Sequence, residues 1–464
     1  MAGPREIYRR IKNMRLSHRI HAVRRINRVA PVPGRRVVAI TFDDGPCAAP
    51  ARPGSEPLTL GILEALRKYR AKGTFDIIGT TQFKYPDRKG PTGGPYWNGV
   101  KYDHYPEFGA DRLAGAVNQP DLVKRIVGEG HELSNHGFTH APFGPCSYPY
   151  ASRRYLPGFD AVLCDLVALD VLVKDLTGIK MRLGRPAHYI DKTVDGRDAF
   201  DAYRALDYLY LGASFDGGGW MASSGDFHQD VEDMVRPLES TLASDPDSLN
   251  GAIIFHKDGY NMSAQCPALE GLRRQLEVLR RYDYEVVTVS ELCQMSRFTD
   301  IGPDDPLYAP LEAMLKEGYL VTYADNCVRP ERRITVRELG LMCVPMGVQR
   351  WQGCSSGSLA AASVVDRGDA AVGSDLWPRW ASQSIPQMLS RVFLGGRVTE
   401  RFQGIRLDDL AAACRQFVDA AVKGDDERRR RLFLLDSVGQ PTFGHQPANR
   451  GDAIRFLSAA LVGV

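Results

Sequence analysis

The sequence lacks three features that would place it in particular protein classes. Its nine cysteines are odd in number and include no CxxC pair, which argues against a disulfide framework and against a zinc ribbon. No stretch approaches the roughly 18 apolar residues that a membrane-spanning helix requires. The basic N-terminus also lacks the apolar run of about 7–15 residues that secretory signal peptides contain. We therefore expect free, mostly buried thiols and no transmembrane segment, and we find no readable export signal.

The length and composition predict a folded protein with more than one domain. The 464 residues exceed what one ordinary hydrophobic core holds, and 44% of them are hydrophobic. The formal net charge of +3 is unevenly distributed, because residues 1–36 contain eleven lysines and arginines but only one acid, Glu6. The rest of the chain is therefore mildly acidic.

Residues 5–29 carry apolar side chains at roughly helical intervals among arginines, which predicts a basic amphipathic helix that ends before Pro31. We assign residues 1–35 to this N-terminal arm. The helix either tethers the protein to an anionic polymer, nucleic acid or a lipid surface, or packs its apolar stripe on the neighbouring domain. The second interpretation is favoured, and nucleic acid is not expected as a partner.

An alternation of predicted strands and helices follows the arm. The β-branched run VVAITF (37–42) precedes Asp-Asp-Gly-Pro and reads as a buried strand that ends in a turn. The pattern continues with helices at 58–70, 121–130 and 269–281, and with strands at 73–79, 207–215, 251–256 and 284–289. Such alternation predicts an α/β fold in which helices surround a parallel sheet or barrel.

A long segment rich in glycine, proline and aromatic residues, 80–120, interrupts this alternation. Insertions of this length are usually functional or disordered. The aromatic side chains either stack on sugar rings or anchor the loop to the domain, and the sequence leaves both interpretations open.

Two short motifs carry the chemistry of the first domain. Asp43 and Asp44 follow a strand, which places them at the carboxyl edge where β/α folds form their active sites. His136 and His140 are four residues apart, a spacing that directs both imidazoles to one side if the segment is helical. The acids alone could cap a turn, and the histidines alone are weak evidence. Together they predict a metal site of two histidines and one carboxylate with positions open for water.

These motifs resemble those of a known family. TFDDGP (41–46) and NHGFTH (135–140) are similar to the first two motifs of the NodB-homology polysaccharide deacetylases, carbohydrate esterase family 4. The resemblance covers residues 36–292, and later motifs match at Arg185-Pro186, at Asp216 with Trp220, and at IIFH (253–256). It implies a distorted, deacetylase-type β/α barrel that removes acetyl groups from a polysaccharide by hydrolysis.

The resemblance also implies roles for individual residues. It makes Asp43 the catalytic base, steadied by Arg185, and it makes His256 the general acid. The metal ligands would be Asp44, His136 and His140, which bind a divalent ion; zinc is expected, and other divalent transition metals remain open. We assign Asp216 to the catalytic group, and Trp220, His188 and Tyr189 to substrate binding.

Two departures from the family pattern suggest an alternative function. Ala187 and His188 precede Tyr189 in the third motif, and Gly219 occupies the position where an acid usually tunes the catalytic histidine. Either Asp216 reaches His256 instead, or the tuning is missing. The alternative to an active deacetylase is therefore a catalytically weakened or inactive protein that binds cell-wall polysaccharide.

The last part of the chain, 297–464, changes to helical stretches that repeat. Three segments align, at about 297–343, 364–419 and 432–464, and they resemble S-layer homology modules. The third copy, which contains Asn449-Arg450-Gly451-Asp452, keeps the family pattern best. The resemblance implies a small all-α domain that binds anionic cell-wall polymer. It also favours peptidoglycan as the substrate and the cell envelope as the location.

Overall fold

The computed structural model describes residues 23–83, 110–145, 154–220, 224–260, 265–319, 321–334 and 448–463, with short pieces at 96–97, 100–101, 338–339, 342, 410–412, 414–415, 426–427, 430–431 and 435. These residues form two compact units. The larger runs from Arg25 to Arg297, and the smaller contains the described residues from Phe298 onward. Each unit has its own cluster of buried apolar side chains.

A parallel sheet of nine strands forms the centre of the larger unit. Its order is β1-β8-β7-β6-β3-β2-β10-β9, and β11 also pairs with β2. The strands are β1 (Arg25–Ile26), β2 (Arg36–Asp43), β3 (Thr74–Ile77), β6 (Glu132–Asn135), β7 (Leu183–Gly184), β8 (Leu209–Leu211), β9 (Phe215–Asp216), β10 (Ile253–Lys257) and β11 (Tyr284–Val287). A separate antiparallel hairpin pairs β4 (Tyr96–Trp97) with β5 (Val100–Lys101).

Strand β2 is central because its sequence suits burial on both faces. All of its residues after Arg36 are buried, as expected for a β-branched, nearly continuous apolar run in a parallel sheet. Strands β3 and β10 flank its carboxyl end, where Asp43 lies opposite both Asp76 and Lys257. The two strands therefore deliver their last side chains to the same edge as Asp43 and Asp44.

The sheet curls because one short segment joins its two ends. Strand β8 lies second in the sheet and β9 lies last, yet only three residues separate Leu211 from Phe215. Strand β8 pairs with β1 and β9 pairs with β10, so this segment brings the two edges together. The predicted α/β fold class, a distorted β/α barrel, is confirmed.

Helices pack on the outside of this sheet. They are α1 (Leu58–Lys68), α2 (Pro120–Gly128), α3 (Phe159–Thr177), α4 (Ala199–Leu206), α5 (Phe227–Ser244), α6 (Ala268–Arg281) and α7 (Val289–Met295). Three of them lie where the sequence predicts helices. Helix α6 shows why: its apolar residues recur on one face, and that face is buried while its arginines are not.

The end of the predicted N-terminal helix is a strand instead. Arg25 and Ile26 form β1 and pair with β8, and Val29 donates its backbone N–H to the Gly251 carbonyl at 2.8 Å. Ile26 and Val29 are buried in the larger unit, so tertiary packing overrides the helical spacing. Residues 1–22, as well as 84–95, 98–99 and 102–109 of the aromatic insertion, lie outside the described residues.

The smaller unit contains α8 (Tyr308–Lys316) and α9 (Arg450–Leu457), which continues into a π-helical turn, Ser458–Val462. Asn449 and Asp452 form a reciprocal capping box at the start of α9. Arg450 is fully buried and donates to the carbonyls of Val321 and Val328, each at 2.8 Å. Its guanidinium therefore ties the 321–328 loop to α9. Most of the predicted second repeat, 364–419, lies outside the described residues.

Two further expectations concern cysteines and membranes. The six cysteines that the structure describes are all free thiols, as predicted. Among the described residues, no helix combines the length and apolar character that crossing a membrane would require.

Candidate metal centre and active site

The candidate metal ligands come together at the carboxyl edge of three neighbouring strands. Asp43 ends β2, Asp44 follows it, and His136 follows β6, while β3 lies between β2 and β6. His140 belongs to the loop after His136. The structure thus assembles the predicted ligands from two motifs that are about 90 residues apart in the sequence.

The geometry of the three ligands suits a divalent cation. The Oδ1 atom of Asp44 lies 2.8 Å from Nε2 of His140 and 3.1 Å from Nε2 of His136. All three side chains are buried, and one ligand atom from each lies within 4.8 Å of the others. One carboxylate oxygen and two imidazole nitrogens that converge in this way match the donor set of a metal site with open positions.

The histidine pair lies in a loop and not in a helix, so the predicted reason for their convergence is wrong. Strand β6 ends at Asn135, and residues 136–140 form turns. His140 has a φ of 55°, a left-handed conformation that brings its ring back toward His136, with 4.9 Å between the ring centroids. Two hydrogen bonds from the loop backbone to Asp165 of α3 hold this turn.

Backbone strain is concentrated at this site. Asp44, His140, His188 and Tyr189 all have φ between 55° and 75°, and nine non-glycine residues in the described part of the chain have a positive φ. Non-glycine residues adopt this conformation at a cost, and it persists where the surrounding structure enforces it. Here it directs four side chains of three separate loops toward one place.

A second contact fixes the orientation of His136. Its Nδ1 atom lies 2.8 Å from the backbone carbonyl of Arg185, a distance that suits donation from Nδ1–H. That tautomer leaves the lone pair of Nε2 for a metal ion, the arrangement that ligating histidines usually show. The Asp76 carboxylate lies 3.2 Å from the same Nδ1 and adds negative charge behind the ring.

Asp43 lies beside the metal ligands and is paired with a buried cation. Arg185 donates to its Oδ1 atom, and His136 Nε2 lies 3.7 Å from its Oδ2 atom. Burial raises the pKa of Asp43 to about 7; Arg185 opposes this rise, whereas the nearby Asp76 and Asp44 charges add to it. A carboxylate with a pKa near neutrality is well suited to accept and return a proton.

Arg185 is held rigidly for this contact. It is fully buried, immediately after β7, and also donates to Thr41 Oγ1 at 3.1 Å and to the Gly212 carbonyl at 3.0 Å. Burial would lower the pKa of the guanidinium, but the Asp43 carboxylate and its neighbours raise it instead. Arg185 therefore remains charged and is a fixed partner for Asp43.

Asp76 is a site residue that the motifs did not reveal. It is fully buried on β3, and its Oδ2 atom lies 3.6 Å from Nε of Arg185. With Asp43 and His136 it forms a second group that could hold a metal ion by distance alone. Arg185 already supplies the positive charge for both acids. A signal was present in the sequence, since strand Thr74–Ile77 places one acid among apolar neighbours.

The candidate proton donor, His256, lies on β10 opposite Phe42 of β2. It is buried, and no acid is hydrogen-bonded to either ring nitrogen in the described residues. Burial lowers its pKa to about 4, and Gln275 only partly offsets this effect. The interpretation that Asp216 reaches His256 is wrong. The exposed Asp216 carboxylate accepts from Trp220 Nε1 at 3.1 Å and from the Gly218 N–H at 2.9 Å.

The residues assigned to substrate binding lie around the metal ligands or at one edge of the sheet. The half-buried His188 ring packs against His140, with 4.8 Å between centroids, and the Tyr189 ring lies 5.5 Å from the Arg185 guanidinium. Trp220 lies beyond the end of β9 and donates to Asp216, the last residue of that strand. The structure therefore brings His188 and Tyr189, but not Asp216, into contact with the predicted ligands and their partners.

Comparisons with known proteins point to one family. Residues 31–156 match the family model for polysaccharide deacetylases. A chitooligosaccharide deacetylase from a Bradyrhizobium species is 31% identical over 127 residues, which are 27% of this chain and 38% of that protein. A peptidoglycan-N-acetylglucosamine deacetylase from Bacillus cereus is 25% identical over 260 residues, 55% of this chain and 88% of that protein.

Solved structures are also similar to a part of the chain. The peptidoglycan deacetylase PdaC from Bacillus subtilis is 20% identical and matches 57% of this chain and 92% of its own, with a TM-score of 0.34. The chain spans less than half of the Bradyrhizobium relative and most of the Bacillus cereus relative. Residues 31–156 of this chain are therefore similar to the polysaccharide deacetylase family.

Proposed function

We propose that the unit from Arg25 to Arg297 is a metal-dependent hydrolase that removes acetyl groups from a polysaccharide. One observation carries the proposal: Asp43, paired with the buried Arg185, lies beside a converging group of Asp44, His136 and His140. A base next to a two-histidine, one-carboxylate site is the arrangement that metal-assisted hydrolysis requires. Zinc fits this donor set, and other divalent transition metals would also fit.

The roles of the side chains follow from their charge and position. A divalent ion at the site would supply Lewis acidity, which polarises an acetyl carbonyl and makes water easier to deprotonate. Asp43 accepts the proton of the attacking water, because its pKa of about 7 lets it exchange protons near neutral pH. Arg185 keeps the carboxylate oriented during this transfer.

The departing sugar amine must be protonated when the acetyl group leaves. His256 is our candidate acid by resemblance, but its pKa of about 4 leaves it neutral at pH 7. The proton that Asp43 has accepted is therefore the first one available to the amine. We propose that Asp43 returns this proton to the amine nitrogen as the C–N bond breaks, and that the neutral His256 orients the leaving group by a hydrogen bond.

The proposed substrate is a polymer of N-acetylglucosamine units, with peptidoglycan favoured. The named relatives act on chitooligosaccharide and on peptidoglycan N-acetylglucosamine. His188, Tyr189 and Trp220 are proposed to contact the sugar rings, since aromatic faces suit such contacts. We also propose that the smaller unit binds cell-wall polymer at the cell envelope. Such binding would have to use residues other than Arg450, whose guanidinium is enclosed.

Acetate release tests the enzymatic proposal. The full chain, loaded with Zn²⁺, should release acetate from chitin oligomers, peptidoglycan or acetylxylan, and a chelator should abolish this activity. Asp43→Asn should retain the metal but lose about 10²–10⁴-fold in kcat, whereas Asp44→Asn should lose the metal itself. His256→Gln should retain more activity than Asp43→Asn if Asp43 carries the proton in both directions.

The same experiment examines the alternative function. If the zinc-loaded chain and Asp43→Asn behave identically on every substrate and release no acetate, the deacetylase proposal is wrong. Retained affinity for insoluble peptidoglycan would then favour a wall-binding protein without turnover. The lack of an acid hydrogen-bonded to His256 in the described residues is the observation that favours this second candidate.

A further inference from the structure

A lysine side chain forms an ion pair with the candidate metal ligand Asp44. Lys257 is the last residue of β10, and its ammonium donates to Asp44 Oδ2. The two side chains are only 12% and 10% exposed, so this is a largely buried ion pair and not a solvated surface contact. The other oxygen, Oδ1, faces the two histidines. The two oxygens of Asp44 therefore have different partners.

Each acid of the Asp43-Asp44 pair thus has its own cation. Arg185 reaches Asp43 from the end of β7, and Lys257 reaches Asp44 from the end of β10. Adjacent carboxylates that are both buried repel each other, and the two cations offset this repulsion. Arg185 pairs with Asp43, which is not one of the three predicted metal ligands. Lys257 instead donates to one oxygen of Asp44, which is a predicted ligand.

We propose that Lys257 is a positioning residue that keeps Asp44 a one-oxygen ligand and limits the affinity of the site for divalent cations. A carboxylate whose second oxygen holds an ammonium cannot present both oxygens to the same ion. Coordination through Oδ1 alone leaves more positions open for water and an acetyl oxygen. The positive charge of Lys257 also repels a divalent ion nearby. This inference rests on the proposed metal site.

Metal titration of Lys257 variants tests the proposal without relying on turnover. The chelator-treated full chain, Lys257→Met and Lys257→Arg would be titrated with Zn²⁺ and Co²⁺ in competition with a chromophoric chelator. We expect Lys257→Met to bind at least about tenfold more tightly, because it lacks the repelling charge, and Lys257→Arg to stay within about threefold of the native protein. Lys180→Met, at an exposed site, is the control for losing one positive charge.

The visible absorption spectrum of bound Co²⁺ tests whether Asp44 binds the ion through one oxygen or two. If Asp44 becomes a two-oxygen ligand in Lys257→Met, the coordination number rises and the visible absorption of bound Co²⁺ weakens. Unchanged or weaker affinity together with a native spectrum in Lys257→Met would overturn the inference. Lys257→Gln, which also lacks the charge, replaces the methionine variant if thermal melting shows that the latter does not fold.

The outcomes separate this inference from the proposed function. If the native chain binds neither ion, the proposed metal site fails and this inference fails with it. If the native chain binds both ions and Lys257→Met binds them equally well, only the role of Lys257 is refuted.

Discussion

Three buried carboxylates, Asp43, Asp44 and Asp76, lie close together at one edge of the sheet. Among the described residues, two lysine or arginine side chains form ion pairs with these carboxylates, namely Arg185 and Lys257. This excess of negative charge explains why the site would attract a divalent ion. The same negative charge explains why the pKa of His136 is raised. Burial alone would lower its pKa, but the carboxylates of Asp76 and Asp43 raise it to about 10, so a bound ion would have to displace the proton from Nε2.

Asp76→Asn tests how the third acid tunes the base. Its negative charge raises the pKa of Asp43, so the neutral amide should lower that pKa. As the proposed base, Asp43 must lose its proton to act, so activity should rise with pH through the pKa of Asp43. We expect the acid limb of the pH profile of kcat/KM to move to lower pH in Asp76→Asn, with a reduced kcat.

The control for this measurement is Asp191→Asn, which removes a buried carboxylate that accepts from the Tyr210 hydroxyl. It should leave the acid limb unchanged. Coincident acid limbs for Asp76→Asn and the native protein would show that Asp76 does not tune the base.

At the scale of elements, the loop that carries both histidines depends on α3. Asp165 of this helix accepts from the backbone N–H groups of Phe138 and Thr139 at 2.9 and 3.0 Å, and from Thr139 Oγ1 at 2.7 Å. The loop has no regular secondary structure, and these three bonds hold it together with the bond from the Thr80 N–H to the Phe138 carbonyl at 2.8 Å. The geometry of the candidate metal ligands thus depends on a side chain from a different element.

Asp165→Ala should loosen this loop. It leaves two partly buried backbone donors without this partner, so we expect a loss of about 1–3 kcal/mol in the free energy of unfolding. We also expect weaker Zn²⁺ binding, because His140 is no longer held in its left-handed conformation. Urea denaturation and metal titration measure the two effects. Asp175→Ala, exposed on the same helix, is the matched control. Native metal affinity in Asp165→Ala would contradict this account.

At the scale of the whole molecule, buried histidines make stability depend on pH. His131 is 7% exposed, between α2 and β6, and accepts from the Gly73 N–H at 3.1 Å. Burial lowers its pKa to about 4, from an ordinary value of about 6.5. Above pH 6.5 the ring is neutral in both states and has no effect. As the pH falls toward 4, the unfolded chain binds a proton that the folded chain does not, and stability decreases.

His131→Gln should remove this contribution. The glutamine oxygen can still accept from Gly73, and the free energy of unfolding should fall less between pH 7.5 and pH 4 than in the native protein, by up to about 3 kcal/mol. Urea denaturation at several pH values measures the difference. His228→Gln, at an exposed position, should follow the native curve. Parallel curves for His131→Gln and the native protein would assign the acid sensitivity to other groups.

The sequence by itself determined the order of the elements and the identity of the motifs. The run in β2 is apolar because both faces of a parallel sheet are covered, and the periodicity of α6 reports which of its faces is buried. Such patterns are local, so they can be read without a structure. The strand-end position of Asp43 and Asp44 followed from them.

Only the tertiary structure decided which charges meet. Arg185 pairs with Asp43 across 142 residues, and Lys257 pairs with Asp44 across 213. These contacts depend on which strands become neighbours in a curled sheet, which no local pattern records. The dependence on tertiary contacts also explains the other differences between the predicted and the observed structure. Ile26 joins a strand because the sheet buries it, and His136 and His140 converge through a strained loop held by α3, where their spacing had suggested a helix.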